Sequence, residues 1–151
     1  MKKSKKRSAS SAQPETVFFV DRDLGLQFAD TLRQRGLRVE LLDDHFRPDT
    51  PDAEWLVSVS RRRWVVLTHD AKIRYNSRVK EAVVEAQARV IVVRGKVSPV
   101  EMAEGFLATL THVLRFVRRH APPYIAKQHR NARDPHKAGR IELWFGGRIK
   151  E

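Results

Sequence analysis

The sequence predicts an α/β fold, a three-layer sandwich around a mainly parallel sheet of four to five strands. Two observations carry this reading. Four short, nearly continuous apolar runs rich in β-branched residues recur along the chain, as expected of strands covered on both faces. Each is followed by a segment with apolar residues at helical spacing, and that alternation favours parallel strands joined by right-handed crossovers. No internal repeat interrupts the pattern.

The elements follow in order. Residues 1–14, MKKSKKRSASSAQP, are basic, polar and Ser-rich, a composition expected to be disordered. TVFFV, residues 16–20, is the first strand, closed by Asp21-Arg22-Asp23. Leu24, Phe28, Ala29 and Leu32 then share a helical face over 24–35, and Gly36 supplies a stop. LRVELL, 37–42, is the second strand, and 43–51 reads as a loop. Thr50 before Pro51 reads as an N-cap with Pro at the first helical position. The helix 51–62 follows, with Ala53, Leu56, Val57 and Ser60 on one stripe. WVVLT, 64–68, is the third strand, 78–87 a helix, and RVIVV, 89–93, the fourth strand. Ser98-Pro99 opens a long helix over 99–119 that ends before Pro122-Pro123. Residues 124–151 form a basic remainder in which IELWF, 141–145, reads as an edge strand or a clip onto the domain. The expected organisation is a basic tail (1–14), an α/β domain (15–121) and a basic extension (122–151).

Composition narrows the partners. The net charge is +12, with five cations and no acid in residues 1–7, a surplus of seven in 112–151, and a neutral span between. Basic ends on a balanced domain are suited to following a polyanion, and nucleic acid is the expected partner. No run approaches the ~18 apolar residues of a membrane span, so no membrane partner is expected. The N-terminus has no apolar core of a secretory signal. The absence of cysteine removes disulfide and thiolate chemistry and fits a cytoplasmic protein.

In a doubly wound sheet, ligands bind at the carboxyl ends of strands where strand order reverses, and simple windings place strands one and three there side by side. Asp21 follows strand one, and Asp70 follows strand three just beyond Thr68-His69. Asp52, in the first turn of the helix leading to strand three, can join them; Asp23 and Glu54 stand nearby. Two carboxylates about 4 Å apart repel by roughly 4 kcal/mol at an effective dielectric near 20. Such a group binds a cation, shares a proton or recruits basic side chains. Oxygen ligands alone select a hard ion, Mg²⁺ or Mn²⁺, and such an ion in a protein with basic ends fits phosphodiester hydrolysis. Each acid also has a plain structural reading. Asp21 and Asp23 are placed to cap the helix that follows, Asp52 is favoured by the helix dipole, Glu54 reads as solvated, and Asp70 as a turn acid. Thr68 either hydrogen-bonds the turn or orients Asp70. His69 reads as a turn residue. No Gly-rich phosphate loop and no nucleophile elbow is present.

The pieces FFVDRDLG, LRQRGLRVELL, TPDAEWL, WVVLTHDAKIR and ARVIVVRG, in that order over residues 16–110, resemble the PIN-like domain family. The nearest resemblance is to its shortened members related to bacterial VapC-type toxins. It implies a Mg²⁺- or Mn²⁺-dependent ribonuclease with acids at the carboxyl edge of the sheet, a cognate antitoxin and a homodimer. Carried over by position, Asp21 matches the first-strand acid, Asp52 the acid opening the second helix, and Asp70 the acid of a T-x-D turn. Many relatives have a further acid two residues on, where this chain has Lys72. That departure bears on a second metal and on activity itself. Lys72 and Arg74 are then placed to contact the scissile phosphate.

Three rival readings stand beside it. VDRDLG is similar to the start of haloacid-dehalogenase-type phosphatases, but the second strand ends LLDD rather than in Ser or Thr, and the fourth ends VVRG without an acid pair. A receiver domain also has acids after strands one and three, yet it needs five strand–helix units and a late Lys, and Lys96 is poorly placed. The third rival is a non-catalytic RNA-binding protein on the same scaffold, for which Lys72 is the motivation.

Overall fold

The computed structural model describes residues 15–150, so the basic tail 1–14 lies outside the described residues. Six strands form one sheet: β1 Val17–Val20, β2 Arg38–Leu41, β3 Val65–Thr68, β4 Arg89–Val93, β5 Tyr124–His129 and β6 Arg140–Gly146. Their order is β2-β1-β3-β4-β5-β6. The first five are parallel and β6 runs antiparallel to β5. The chain winds outward from β1 to β2 and then returns to β3 on the other side of β1, so the reversal falls between β1 and β3. The α/β sandwich expected from the sequence is the fold observed, with six strands rather than four or five.

The helices are α1 Leu26–Gln34, α2 Leu42–His45, α3 Asp52–Arg61, α4 Ser77–Ala86, α5 Pro99–Ala108 and α6 Leu110–Arg119. Side-chain alternation along the strands feeds two apolar layers. Phe18, Leu67, Ile91 and Tyr124 point into the layer closed by α1, α5 and α6, through Phe28, Leu32, Phe106 and Val113. Phe19, Val66, Val90 and Ile125 point into the layer closed by α3 and α4, through Leu56, Val59 and Val83. Full burial of each such side chain stabilises by roughly 1.5–3 kcal/mol. Phe18 and Phe106 meet edge to face at 5.4 Å.

Local chemistry explains the boundaries. The first helix does not begin at Leu24. Asp21 caps a 3-10 turn over Arg22–Leu24, Gly25 at φ 86° redirects the chain, and α1 starts at Leu26. Gly36, also at φ 86°, ends that helix. The expected loop 43–51 contains α2. At α3, Thr50 is not the cap: Pro51 is, its extended backbone letting its carbonyl accept from the Glu54 and Trp55 N–H groups at 3.0 and 3.3 Å. Ser98 does cap α5 ahead of Pro99, accepting from Glu101 N–H at 3.2 Å.

Two departures are larger. The expected helix 99–119 is two helices broken at Thr109. This fully buried residue donates its hydroxyl to the Gly105 carbonyl at 2.8 Å and accepts from Gln128 Nε2 at 3.3 Å and Gly139 N–H at 3.0 Å. Residues 124–129, assigned from sequence to the basic remainder, form β5, paired with β4 from Tyr124 to Gln128. IELWF lies within β6, the edge strand, with a register irregularity opposite Ile125/Ala126. The sheet therefore continues past residue 121 without a break. Among the described residues no helix is long and apolar enough to cross a membrane.

Candidate functional site

The reversal between β1 and β3 opens a cavity of about 90 Å³, lined by Asp21, Asp23, Asp52, Thr68 and Asp70 above a floor that includes Trp55, Leu56, Val66 and Ile73. Three chain segments deliver these acids. β1 and β3 pair in register at Val20 and Leu67, and the Asp21 N–H donates to the Leu67 carbonyl at 2.9 Å. Asp21 is thereby locked beside the end of β3. Asp70 caps the 3-10 turn Ala71–Arg74, its Oδ1 accepting from Lys72 N–H at 2.9 Å. Asp52 heads α3, whose Trp55 packs in the core and donates its indole N–H to Asp52 Oδ1 at 3.1 Å.

Thr68 is the hub. Its hydroxyl lies 3.1 Å from Asp21 Oδ2 and 3.3 Å from Asp23 Oδ2, a donor shared between two carboxylates. It accepts from the Asp70 N–H at 3.3 Å. Thr68 is thus bonded to three of the four acids, rather than only orienting the Asp70 turn. Asp23 bridges further, accepting from the His69 N–H at 3.1 Å. His69 itself is directed away, with Nδ1 3.0 Å from the Val93 carbonyl. Burial and the neighbouring negative charge of Asp23, with a smaller contribution from Asp52, push the Asp21 carboxyl up to about 6, against the lowering effect of the Thr68 and Arg22 hydrogen bonds.

Other positions fall elsewhere. Glu54 is exposed and does not line the cavity. Lys72 is exposed, and Arg74 turns along the surface with its guanidinium 4.6 Å over the Trp144 ring. Neither lines the cavity. Trp55 was not among the sequence candidates, although its place three residues after Asp52 on a helix is the signal that would have found it.

Oxygen donors are the right chemistry for a hard cation. Among the described residues, however, no three carboxylate or imidazole side chains are gathered tightly enough to hold an ion as they stand. Instead their oxygens accept hydrogen bonds from the chain. Asp52 and Asp70 each keep one oxygen without a hydrogen-bond partner among the described residues. The donor set fits a hard ion in kind and in its common cavity.

A mainly parallel sheet with acids at its reversal point defines a broad class of α/β proteins. Within it, the model of the PIN-like domain family matches residues 16–95, and the chain belongs to that family. The chain is also similar to "Putative ribonuclease VapC45" of Mycobacterium tuberculosis (strain ATCC 25618 / H37Rv), at 28% identity over 110 residues, 69% of this chain and 80% of the relative. No solved structure matches it.

Proposed function

We propose that the protein is an endoribonuclease dependent on Mg²⁺ or Mn²⁺, acting through Asp21, Asp52 and Asp70. We further propose that it is the toxin of a bacterial pair with a cognate protein antitoxin. The observation that carries the reading is the shared cavity of Asp21, Asp23, Asp52 and Asp70 at the β1–β3 reversal. The family and the VapC-type relative support the reaction class.

Asp21, Asp52 and Asp70 would hold the ion, which when bound activates water and neutralises charge on the phosphate. The chain's own residues set the rest. Thr68 fixes the Asp21 and Asp23 carboxylates relative to the Asp70 backbone. Trp55 holds one Asp52 oxygen and leaves the other available. Asp21, partly buried above the apolar floor, is the acid whose interactions are least screened by solvent. On this reading Lys72, exposed on the turn that Asp70 starts, would meet an RNA phosphate, and Arg74 would contact RNA outside the cavity.

The second reading, an RNA-binding protein without cleavage, is favoured by Lys72 alone: a cation stands two residues beyond Asp70, where many relatives have an acid. One experiment separates the two. Purified protein is incubated with structured and unstructured RNA in Mn²⁺, in EDTA, and as Asp70→Asn. Cleavage that needs metal and Asp70 supports the nuclease. Cleavage indifferent to both refutes the metal mechanism, and binding without cleavage supports the second reading.

A further inference from the structure

The turn Ala71–Arg74 runs from the carboxylate cavity toward the β5–β6 hairpin, and a row of cations and aromatics continues where it ends. Tyr75, next after the turn, is 81% exposed. The Arg74 guanidinium carbon lies 5.7 Å from the Tyr75 ring centroid and 4.6 Å from that of Trp144. Lys127 Nζ approaches the same indole at 5.8 Å. Among the described residues none of these three cationic or phenolic heads is tied to a carboxylate: Glu142, which stands opposite Lys127 across the hairpin, bonds to His129 and approaches Arg140 instead.

Folding does not require this arrangement. The Tyr75 ring, left in solvent, gains no burial, while Trp144 is half-buried against the core and offers its rim with Arg74 laid over it; a cation held over a ring rather than against an acid keeps its charge available. Aromatic faces alternating with unpaired cations are what an unstacked nucleic-acid strand needs: π-faces for its bases and positive charge for its phosphates. A duplex hides its bases and gains only from the charges. Trp144 and Lys127 lie beyond residues 16–95, so this half of the row belongs to the hairpin rather than to the stretch shared with the family.

We propose that Tyr75, Arg74, Trp144 and Lys127 form a binding platform for unpaired RNA, which leads a single strand from the β5–β6 hairpin to the carboxylate cavity. Bases stack on Tyr75 and on the Arg74–Trp144 pair, and Lys127 contacts a phosphate. The platform rests on RNA being the ligand of the neighbouring site and specifies its kind: single-stranded, not paired.

The test is fluorescence anisotropy in EDTA, which keeps the RNA intact, with a labelled unstructured 12-nucleotide RNA and a duplex of equal length. Tyr75→Ala should weaken single-strand binding about tenfold and duplex binding less than twofold, while Tyr75→Phe restores wild-type affinity. Lys127→Gln should reduce the slope of log affinity against log salt by roughly 0.7. Arg74→Lys, which keeps charge but loses the planar face, should weaken the single strand more than the duplex. Wild-type protein that binds and cleaves RNA while Tyr75→Ala is unchanged, or weakens both ligands equally, overturns the platform and leaves the proposed function standing. Wild-type protein that neither binds nor cleaves RNA overturns both.

Discussion

Replacing Asp21 by Asn should stabilise the metal-free protein at neutral pH while abolishing metal-dependent cleavage. The carboxyl is raised from 3.8 to about 6 by burial and by Asp23 and Asp52. The folded protein therefore holds this proton more tightly than the unfolded chain does. The proton's contribution to stability is fully present below about 4 and is lost as pH rises through about 6. At ~1.4 kcal/mol per pH unit, the ionised carboxylate costs the folded state ~3 kcal/mol at pH 8. Asn carries no charge but can keep only one of the two bonds from Arg22 N–H and Thr68 Oγ1, a loss of about 1 kcal/mol. The expected gain is about 1–2 kcal/mol at pH 8, a rise in Tm of roughly 3–6 °C. It should shrink toward zero near pH 4.5, where the wild-type carboxyl is protonated when folded. Urea titrations of both proteins in EDTA at pH 4.5, 6 and 8 measure this directly. A variant that is less stable than wild type at pH 8, or a difference that does not change with pH, refutes the reasoning.

Three further outcomes are expected. Adding Mn²⁺ at a hundredfold excess over its dissociation constant should raise wild-type stability by about 3 kcal/mol and leave Asp21→Asn nearly unmoved, as read by thermal melts with and without EDTA. Thr68→Val should cost about 1–3 kcal/mol by stranding the Asp70 N–H and one Asp21 oxygen, and should lower cleavage; Thr68→Ser should retain both properties. Thr109→Val should cost about 2–4 kcal/mol in urea denaturation, because Gln128 Nε2 and Gly139 N–H lose their acceptor, whereas Thr109→Ser should be close to wild type.

β1, β3 and β4 were legible because each is a short apolar run rich in β-branched residues, and β2 (RVEL) because charged and apolar residues alternate in it; the meeting of Asp21 with Asp70 followed from strand ends alone. β5 was not legible. YIAKQH contains Lys127 and Gln128, and Gln128 is buried only because Thr109, far along the chain, supplies its partner. The same Thr109 breaks the helix 99–119, whose apolar spacing runs through the break unaltered. Asp23 looked like a cap because cap acids and bridging acids share one sequence position; its bonds to Thr68 and His69 depend on β3 lying alongside. The helical stripe could not choose between Asp52 and Glu54. Trp55 separates them in the structure, since its indole reaches Asp52 and not Glu54.

The position of β5 has a consequence for solubility. Val90–Val93 of β4 are almost wholly buried, and β5 satisfies their outer row of backbone groups. A chain stopped at residue 121 would present that row as an open, uncharged edge, the kind that templates strand addition between molecules. In this protein the stretch shared with the family, residues 16–95, ends at a strand whose outer side is paired by a later segment. The exposed margin passes instead to β6, where Arg140 and Glu142 carry charge and the irregularity opposite Ile125/Ala126 disrupts regular pairing. The C-terminal hairpin is the sheet's protected hem, and without it the same core would be prone to self-association.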